Sequence, residues 1–215
     1  FFGLKPREIR SLVEAEGMVV SSSHGPWAKP ENLSEVIDTA AAFGIDLVAS
    51  GYRPEDFADL DAIKRTADKT NMMEERLSAA GLKLFLHNHW WEFEKLGGRI
   101  KYDIFAELAP TVSFEIDTYW VSNFGANDPV KEVAKFRSRA PLLHIKDGPL
   151  VKDQAQLALG EGKMDIPAVI AAADPAVLRW LVVELDSCAT DMLEAVEKSY
   201  RYLTSRGLAE GRKQD

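Results

Sequence analysis

Short apolar runs alternate along this chain with segments in which apolar residues recur every three or four positions. Six runs have the length and composition of buried parallel strands, at 18–23, 46–50, 83–89, 112–117, 142–146 and 181–185. Helices alternating with strands predict βαβ units, right-handed crossovers and a parallel sheet. Six such strands suit either an open doubly wound sheet or six of the eight strands of a closed barrel.

The helical segments carry recognisable ends and buried faces. Three of them stop at a glycine that leads into the next strand, namely Gly17, Gly44 and Gly81. The helix before Gly44 is expected to begin with a cap formed by Asn32 and Glu35. Steps of three and four predict a buried stripe on the helix before Gly81, made of Ile63, Thr66, Thr70, Met73, Leu77 and Ala80. The final helix starts near Asp191 and is expected to bury Leu193, Val196, Tyr200 and Leu203.

Composition narrows the classes of function. The 215 residues, 46% of them hydrophobic, suit one large domain at 1–208 followed by a tail at 209–215. A net charge of −8 argues against partners with phosphate backbones or anionic lipid surfaces. The single cysteine, Cys188, excludes an internal disulfide framework, so the chain needs no oxidising compartment and we expect a cytoplasmic location. No apolar run reaches the roughly 18 residues of a membrane helix.

Candidate chemistry lies at the carboxyl ends of four predicted strands. Each end carries two polar residues whose side chains share a face: His87 and His89, Glu115 and Asp117, His144 and Lys146, and Glu184 and Asp186. In a closed α/β barrel all these ends point to one face, where catalytic groups gather. Charges directed into a core are costly unless they are paired or bound to metal. The pattern therefore predicts either a divalent-metal site or a set of internal salt bridges.

These motifs make the chain resemble the xylose isomerase-like TIM barrels, in particular the sugar phosphate isomerase/epimerase group. The resemblance covers nearly the whole chain and rests on HNHWWEF (87–93), FEIDTYWV (114–121), LLHIKDG (142–148), ALGEGKMDIPAV (158–169) and VVELD (182–186). It implies a parallel (β/α)8 barrel in which 18–23 is the third strand and 181–185 the eighth. The first one or two strands are therefore expected to precede Phe1.

The resemblance also implies a divalent ion, with Mn²⁺ as the first choice and Zn²⁺, Co²⁺, Fe²⁺ or Mg²⁺ as alternatives. Three of the family's ligands correspond to Asp117, His144 and Glu184 in this chain. The first ligand, which in many epimerases is a glutamate that forms an acid/base pair with the last, falls on His87. We predict His87 as the ligand, with His89 as the alternative. Catalysis is assigned to Glu184, His87 and His89, because imidazole can both bind metal and move protons.

Aromatic and polar residues near the same strand ends predict a carbohydrate-sized pocket. Tryptophan rings stack on apolar sugar faces, although each ring alone is also a common core filler. Lys146 is expected either to bind a carboxylate, phosphate or developing oxyanion, or to form an internal ion pair with Glu115 or Asp117. The residues predicted to contact substrate are His24, Trp27, Trp91, Glu92, Trp120 and Lys146. The GEG at 160–162 is too short for a phosphate loop and is predicted to be a turn.

The resulting prediction is a metal-dependent isomerase or epimerase that acts on a small-molecule sugar or keto-sugar through proton abstraction and an enediolate. A keto-sugar dehydratase or lyase shares this intermediate and is the alternative. An endonuclease IV-like phosphodiesterase is less favoured, because that group has a zinc-binding histidine where this chain has Trp120. A catalytically silent sugar-binding protein is a further alternative. We expect no nucleic-acid or membrane partner, and a homo-oligomer is possible.

Overall fold

The structure, a computed structural model, describes residues 3–211. It divides into two compact units. The first comprises the described residues up to His87 together with Lys95–Ser113, and the second comprises Asn88–Glu94 together with the described residues from Phe114 onward.

The first unit contains four helices, a parallel strand pair and a short hairpin. Its helices are α1 (Pro6–Ala15), α2 (Leu33–Phe43), α3 (Leu60–Ala79) and α4 (Lys101–Leu108), and its strands are β1 (Leu47–Ser50), β2 (Lys83–His87), β3 (Lys95–Leu96) and β4 (Arg99–Ile100). β1 and β2 run parallel, with Leu47 opposite Lys83. All four residues of β1 are buried, as expected for a parallel strand that is covered on both faces.

The second unit holds the remaining parallel strands and the helices that follow them. Its strands are β5 (Ser113–Asp117), β6 (Leu142–Ile145) and β7 (Trp180–Val183), and its helices are α5 (Thr118–Val121), α6 (Pro129–Phe136), α7 (Ile166–Ala171) and α8 (Met192–Ser205). β6 pairs in parallel with both β5 and β7. Within each unit, the parallel strands pair in chain order. This is the order predicted for a barrel, and it differs from the reversed order of a doubly wound sheet.

Five of the six predicted strands are present, but the prediction of a strand at 18–23 is wrong. This segment contains no strand, and Met18 and Val19 are largely exposed. The chain first bonds to β1 at Ala28, whose N–H donates to the Ala49 carbonyl at 2.8 Å. A strand forms only where a neighbouring strand pairs with its backbone N–H and C=O groups, and apolar composition alone does not provide that neighbour. Conversely, the hairpin β3–β4 was missed, although Gly97–Gly98, both at positive φ, are a recognisable hairpin turn.

The predicted glycine stops at Gly17, Gly44 and Gly81 and the start of the final helix near Asp191 are confirmed, whereas the cap of α2 and most of the buried face of α8 were predicted wrongly. The predicted stripe of α3 is buried from Ile63 to Leu77, and only Ala80 is exposed. The side chain of Asn32 does not cap α2; it accepts a hydrogen bond from the Lys29 N–H and donates one to the Trp27 carbonyl.

The face of α8 that was predicted to be buried is largely exposed. Leu193 is 80% exposed, and Val196 and Tyr200 are also exposed. The helix instead packs through Ala195, Ser199 and Leu203, because small side chains allow a close approach and the Ser199 hydroxyl accepts a hydrogen bond from the Leu159 N–H at 3.0 Å.

No described helix is both long enough and apolar enough to cross a membrane. The cytoplasmic location stays a prediction. The domain boundaries 1–208 and the tail 209–215 also stay predictions, and residues 1–2 and 212–215 lie outside the described residues.

Candidate active site

Strands β5 and β6 place acidic and basic side chains on one buried face of the second unit's sheet. Asp117 at the end of β5 lies opposite His144 in β6. The side chains of Ile116 and Ile145 alternate with these residues and are fully buried, so they occupy the other face of their strands. Because buried charges are costly unless they are partnered, each ionic group here has to be satisfied within the site.

His144 is the centre of a group of carboxylates. Its Nε2 lies 3.0 Å from Glu115 Oε1, and its Nδ1 lies 2.8 Å from Glu184 Oε2. Asp117 Oδ2 is 3.8 Å from the same Nδ1. Burial by itself lowers the pKa of His144, but hydrogen bonds with these three carboxylates outweigh it and raise the pKa to about 11. The imidazole is therefore protonated at neutral pH in this arrangement.

Lys146, the next inward residue after His144, is ion-paired with three carboxylates. Its Nζ lies 2.8 Å from Asp117 Oδ2, 2.8 Å from Glu184 Oε2 and 2.7 Å from Asp186 Oδ2. The predicted internal ion pair with Asp117 is thus present. Burial lowers the pKa of Lys146, but the carboxylates raise it above its ordinary value. In return, His144 and Lys146 overcome the effect of burial on Glu184 and hold its pKa well below the usual range.

Two amide side chains, those of Asn88 and Gln156, hold Asp117 and Asp186 in place, and neither was predicted. The Asn88 carbonyl oxygen accepts a hydrogen bond from the Asp117 N–H at 3.0 Å. Gln156 donates to Asp186 Oδ2 at 3.0 Å and accepts from the Asp186 N–H at 2.7 Å. Asn88 lies inside the HNH motif and could have been suspected from the sequence. Gln156 lies 30 residues from its partner and carries no local signal.

Asp117 also begins the short helix α5. Its Oδ1 accepts hydrogen bonds from the N–H groups of Tyr119 at 3.1 Å and Trp120 at 2.9 Å. These charge-assisted bonds leave Oδ2 directed to Lys146 and His144. The ring of Trp120, a predicted substrate contact, lies with its centroid 5.3 Å from Lys146 Nζ.

Asp147 is fully buried beside this site, but it binds backbone rather than side chains. Its carboxylate accepts hydrogen bonds at 2.8–3.1 Å from four N–H groups, those of Gly148, Gly160, Gly162 and Met164. The GEG at 160–162 forms part of a turn, as predicted, and this turn wraps around the Asp147 carboxylate. The following helix α7 is preceded by Asp165, which caps it by accepting a hydrogen bond from the Ala168 N–H. The structural role of Asp147 was not predicted.

Three of the predicted site residues come together in the first unit. The His24 ring lies 5.0 Å from that of Trp27 and 4.9 Å from that of His87, between ring centroids. His87 is buried at the end of β2. The Trp27 ring packs so closely on Gly51 that a β-carbon there would have no room. The role of His87 as a metal ligand or acid/base group stays a prediction.

His89, Trp91 and Glu92 form a second group, which belongs to the second unit. The His89 ring stacks on Trp91 with centroids 4.1 Å apart and an interplanar angle of 12°. Its backbone N–H donates to Glu92 Oε2 at 3.0 Å. Glu92 is buried, and burial raises its pKa. In this structure Glu92 holds the segment that carries His89, and its contact with substrate stays a prediction.

The chain matches a known protein family along nearly its whole length. A model of the xylose isomerase-like TIM barrel family matches residues 4–206. The chain belongs to this family. The predicted α/β fold, a parallel barrel of the TIM type, is thereby confirmed. A search of curated protein sequences gives no match.

Several solved structures share this fold. A sugar phosphate isomerase/epimerase from Parabacteroides distasonis ATCC 8503 is 24% identical, with a TM-score of 0.75 over 96% of this chain and 78% of its own. A D-allulose 3-epimerase from Methylomonas sp. is 14% identical, with a TM-score of 0.68 over 95% and 83%. A probable 3-DHS dehydratase from Bacillus anthracis is 10% identical, with a TM-score of 0.68 over 93% and 81%.

The donor set of the second unit fits a divalent ion. Asp117, His144 and Glu184 each offer one ligand atom, and these atoms lie within 4.8 Å of one another. A mixture of imidazole nitrogen and carboxylate oxygen suits manganese, iron, cobalt or zinc. Four carboxylates contact His144 or Lys146. When His144 is neutral, Lys146 offsets only one of their four negative charges, which leaves a net charge of −3. This cluster could therefore hold a metal ion in place of the imidazole proton.

Proposed function

We propose that this member of the xylose isomerase-like family is a divalent-metal-dependent isomerase or epimerase of a sugar or keto-sugar. It would abstract the proton beside a carbonyl and pass through an enediolate. The position of Glu184 carries the proposal. Its carboxylate contacts both buried cations, yet its side chain is 36% exposed, whereas that of Asp117 is 0% exposed. A catalytic base must come within hydrogen-bond reach of the substrate, and Glu184 has that access.

The ion would be held by Asp117, His144 and Glu184. The fourth ligand is proposed on the family pattern to be His87, with His89 as the alternative. Mn²⁺ is the first choice, and Zn²⁺, Co²⁺, Fe²⁺ and Mg²⁺ are the alternatives. When bound, such an ion polarises a substrate carbonyl and so makes the neighbouring C–H bond more acidic.

The side chains of the site would then move the proton. Glu184 is ionised at neutral pH, because His144 and Lys146 hold its pKa low. Both cations contact its Oε2, so Oε1 is the oxygen assigned to the substrate proton. Lys146 is fully buried, so it would stabilise the negative charge that develops on the substrate oxygen from a distance, as a fixed cation in a water-poor site does. Return of the proton to the opposite face gives epimerisation, and return to the neighbouring carbon gives isomerisation.

Proton exchange with solvent tests the reaction. D-fructose, D-fructose 6-phosphate and D-allulose are each incubated with the Mn²⁺-loaded protein in deuterated water. NMR then measures deuterium at the carbon beside the carbonyl. We expect incorporation into at least one of these probes, and Glu184→Gln should reduce its rate by at least about 100-fold, the low end of what a positioned acid/base group contributes.

A matched variant separates catalysis from surface charge. Glu197→Gln removes an exposed carboxylate on α8 that pairs with Arg201, and it should leave the exchange rate unchanged. Full activity in Glu184→Gln would remove Glu184 from the mechanism and leave the histidine pair as the candidate bases.

The fourth ligand is tested by metal binding. His87→Gln and His89→Gln are titrated with Mn²⁺ and followed by calorimetry. We expect His87→Gln to weaken binding by at least tenfold and His89→Gln to change it little. The reverse result would assign the ligand to His89. An affinity for Mn²⁺ equal to that of the wild type in both variants would exclude both histidines.

A dehydratase or lyase acting on a keto-sugar is the second candidate function. The observation that favours it is His87 at the position where many epimerases of the family have the glutamate partner of the last ligand. An enediolate that expels a β-hydroxyl gives a conjugated enone, which absorbs in the ultraviolet. In a 3-keto-glucoside probe the leaving group β to the carbonyl is the aglycone oxygen on C1. Growth of this absorbance together with release of the aglycone alcohol in mass spectrometry would assign the protein to this class.

A further inference from the structure

A small cavity lies in the second unit, outside the group of ionic residues. Its volume is about 190 Å³. Its lining includes three half-buried aromatic side chains and two polar side chains from the loop after β6, namely Trp90, Trp120, Phe124, Lys152 and Gln154, and Tyr119 and Asp153 also line it. The reaction proposed above uses none of the three aromatic rings.

The aromatic rings meet at steep angles. Trp90 and Phe124 have ring centroids 5.8 Å apart and an interplanar angle of 51°, and Trp120 and Phe124 are 6.0 Å apart at 74°. Rings in such edge contacts do not cover one another's faces as stacked rings do. Lys152 is exposed, and its Nζ lies over the Trp90 ring, 4.9 Å from the ring centroid. The cavity therefore offers partly exposed aromatic surface next to a cation and an amide.

Backbone strain is concentrated in the two loops that form this cavity. In the described part of the chain, four non-glycine residues have a left-handed φ, namely Asn123 (43°), Phe124 (56°), Leu150 (56°) and Asp153 (61°). Phe124 and Asp153 line the cavity. This conformation is unfavourable for Phe and Leu and persists only where surrounding contacts impose it, which is common at ligand-binding loops. One such contact joins the second loop to α5, because the Leu150 N–H donates to the Tyr119 hydroxyl at 3.1 Å.

Trp120 connects the cavity to the ionic site. Its ring lines the cavity and also lies 5.3 Å from Lys146 Nζ. Its backbone N–H donates to Asp117. A ligand that contacts Glu184 could therefore extend past Trp120 into the cavity.

We propose that this cavity binds a second ring of the substrate, joined to the sugar ring on which Glu184 acts; this rests on the proposed function. A volume of 190 Å³ is below the roughly 300 Å³ of sites that hold an entire drug-sized ligand, and it suits a single ring. The ring needs a flat apolar face for Trp90 and Trp120 and a polar substituent for Lys152 and Gln154. Sugar rings and aromatic rings share this chemistry. The substrate class is therefore a glycoside of a keto-sugar, of which the free ketoses tested above are one-ring analogues.

Three glucosides of graded size test the proposal by binding alone. Phenyl β-glucoside carries an aromatic second ring, cellobiose carries a sugar second ring, and methyl β-glucoside carries none. Calorimetry on the Mn²⁺-loaded protein measures each affinity. We expect at least one two-ring probe to bind about tenfold tighter than methyl β-glucoside, as one well-formed aromatic contact allows. Which of the two binds tighter identifies the kind of second ring.

Variants decide whether the cavity causes this preference. Trp90→Ala should reduce it to within about twofold, and the milder Lys152→Ala should reduce it partly. Trp180→Ala is the matched control, because this tryptophan is also partly exposed but lies at the start of β7 and does not line the cavity. Circular dichroism confirms that each variant is folded.

The results separate this proposal from the proposed reaction. Equal affinities for all three probes, no measurable binding of either two-ring probe, or an unchanged preference in folded Trp90→Ala would each overturn the second-ring site. Glu184-dependent deuterium exchange would still stand in those cases. A preference that depends on Trp90, together with no deuterium exchange in the ketoses or in a 3-keto-glucoside, would instead retain the cavity and overturn the reaction.

Discussion

Two buried aspartates in the second unit are stabilised in different ways. Asp117 is surrounded by charged side chains, with Lys146 Nζ at 2.8 Å and His144 Nδ1 at 3.8 Å. Asp147 is surrounded by four backbone N–H groups of the loop that follows β6. Strand alternation accounts for the separation of adjacent Lys146 and Asp147, because consecutive side chains point to opposite faces.

This difference shows how the ends of two neighbouring strands, β5 and β6, serve both chemistry and structure. Charges balanced by side chains can be redistributed when a proton moves or an ion binds. A charge balanced by backbone amides can be exchanged only by unfolding the loop. The site around Asp117 is therefore suited to reaction and the one around Asp147 to support, and the following experiments test that distinction.

Asp147→Asn should cause the largest loss of stability. Asparagine has one acceptor oxygen, so its amide group would face N–H donors that the carboxylate now satisfies. Breaking a buried charged network of this kind costs about 3–5 kcal/mol. Urea unfolding measures the loss, and Asp68→Asn on the exposed face of α3 is the control. An unfolding free energy equal to that of wild type would refute the structural role of Asp147.

Divalent metal should stabilise the protein through the side-chain site alone. Mn²⁺ at 100 times its dissociation constant should raise the free energy of unfolding by about 2.7 kcal/mol, by mass action. His144→Ala should abolish this increment, because it removes a ligand. Asp147→Asn should retain it despite lower basal stability. Thermal unfolding with and without a chelator measures both, and an increment that survives in His144→Ala would contradict the proposed ligand set.

Gly162→Ala should loosen the loop around Asp147. A β-carbon at Gly162 would overlap the Asp147 carboxylate and the Gly148 backbone nitrogen. Overpacking of this type costs about 1–3 kcal/mol. Gly148→Ala is the graded comparison, since its β-carbon would meet the Tyr119 hydroxyl at 3.0 Å, and it should cost less. The order of the two urea midpoints is the test, and a reversed order would count against this account of the loop.

The pH dependence of stability should report on His144. Its pKa is raised from 6.5 to about 11 in the folded state, so its contribution is full below pH 6.5 and is lost as the pH rises toward 11. In chelator between pH 7 and 9.5, we expect the free energy of unfolding to fall by at most about 1.4 kcal/mol per pH unit. Urea unfolding of His144→Gln should lack this slope and that of Asp147→Asn should keep it. A flat wild-type curve would contradict the carboxylate contacts of His144.

Most of the candidate site could be predicted from local pattern. Each strand carries its own alternation, so the sequence was enough to place Asp117, His144 and Glu184 at strand ends on one side. It could not indicate that Lys146 pairs with Asp186, since that contact joins residues 40 positions apart. Gln156 escaped prediction for the same reason.

The sequence by itself determined the alternation of helices and strands, the family, and the residue types at the strand ends, because these follow from periods of two and 3.6 residues and from short motifs. Tertiary structure decided the rest. It left the segment 18–23 without a neighbouring strand to pair with, exposed the apolar face of α8, and folded the loop after β6 around the Asp147 carboxylate. Each of these outcomes depends on partners distant in the chain, and an apolar or acidic residue does not specify by itself which distant group will satisfy it.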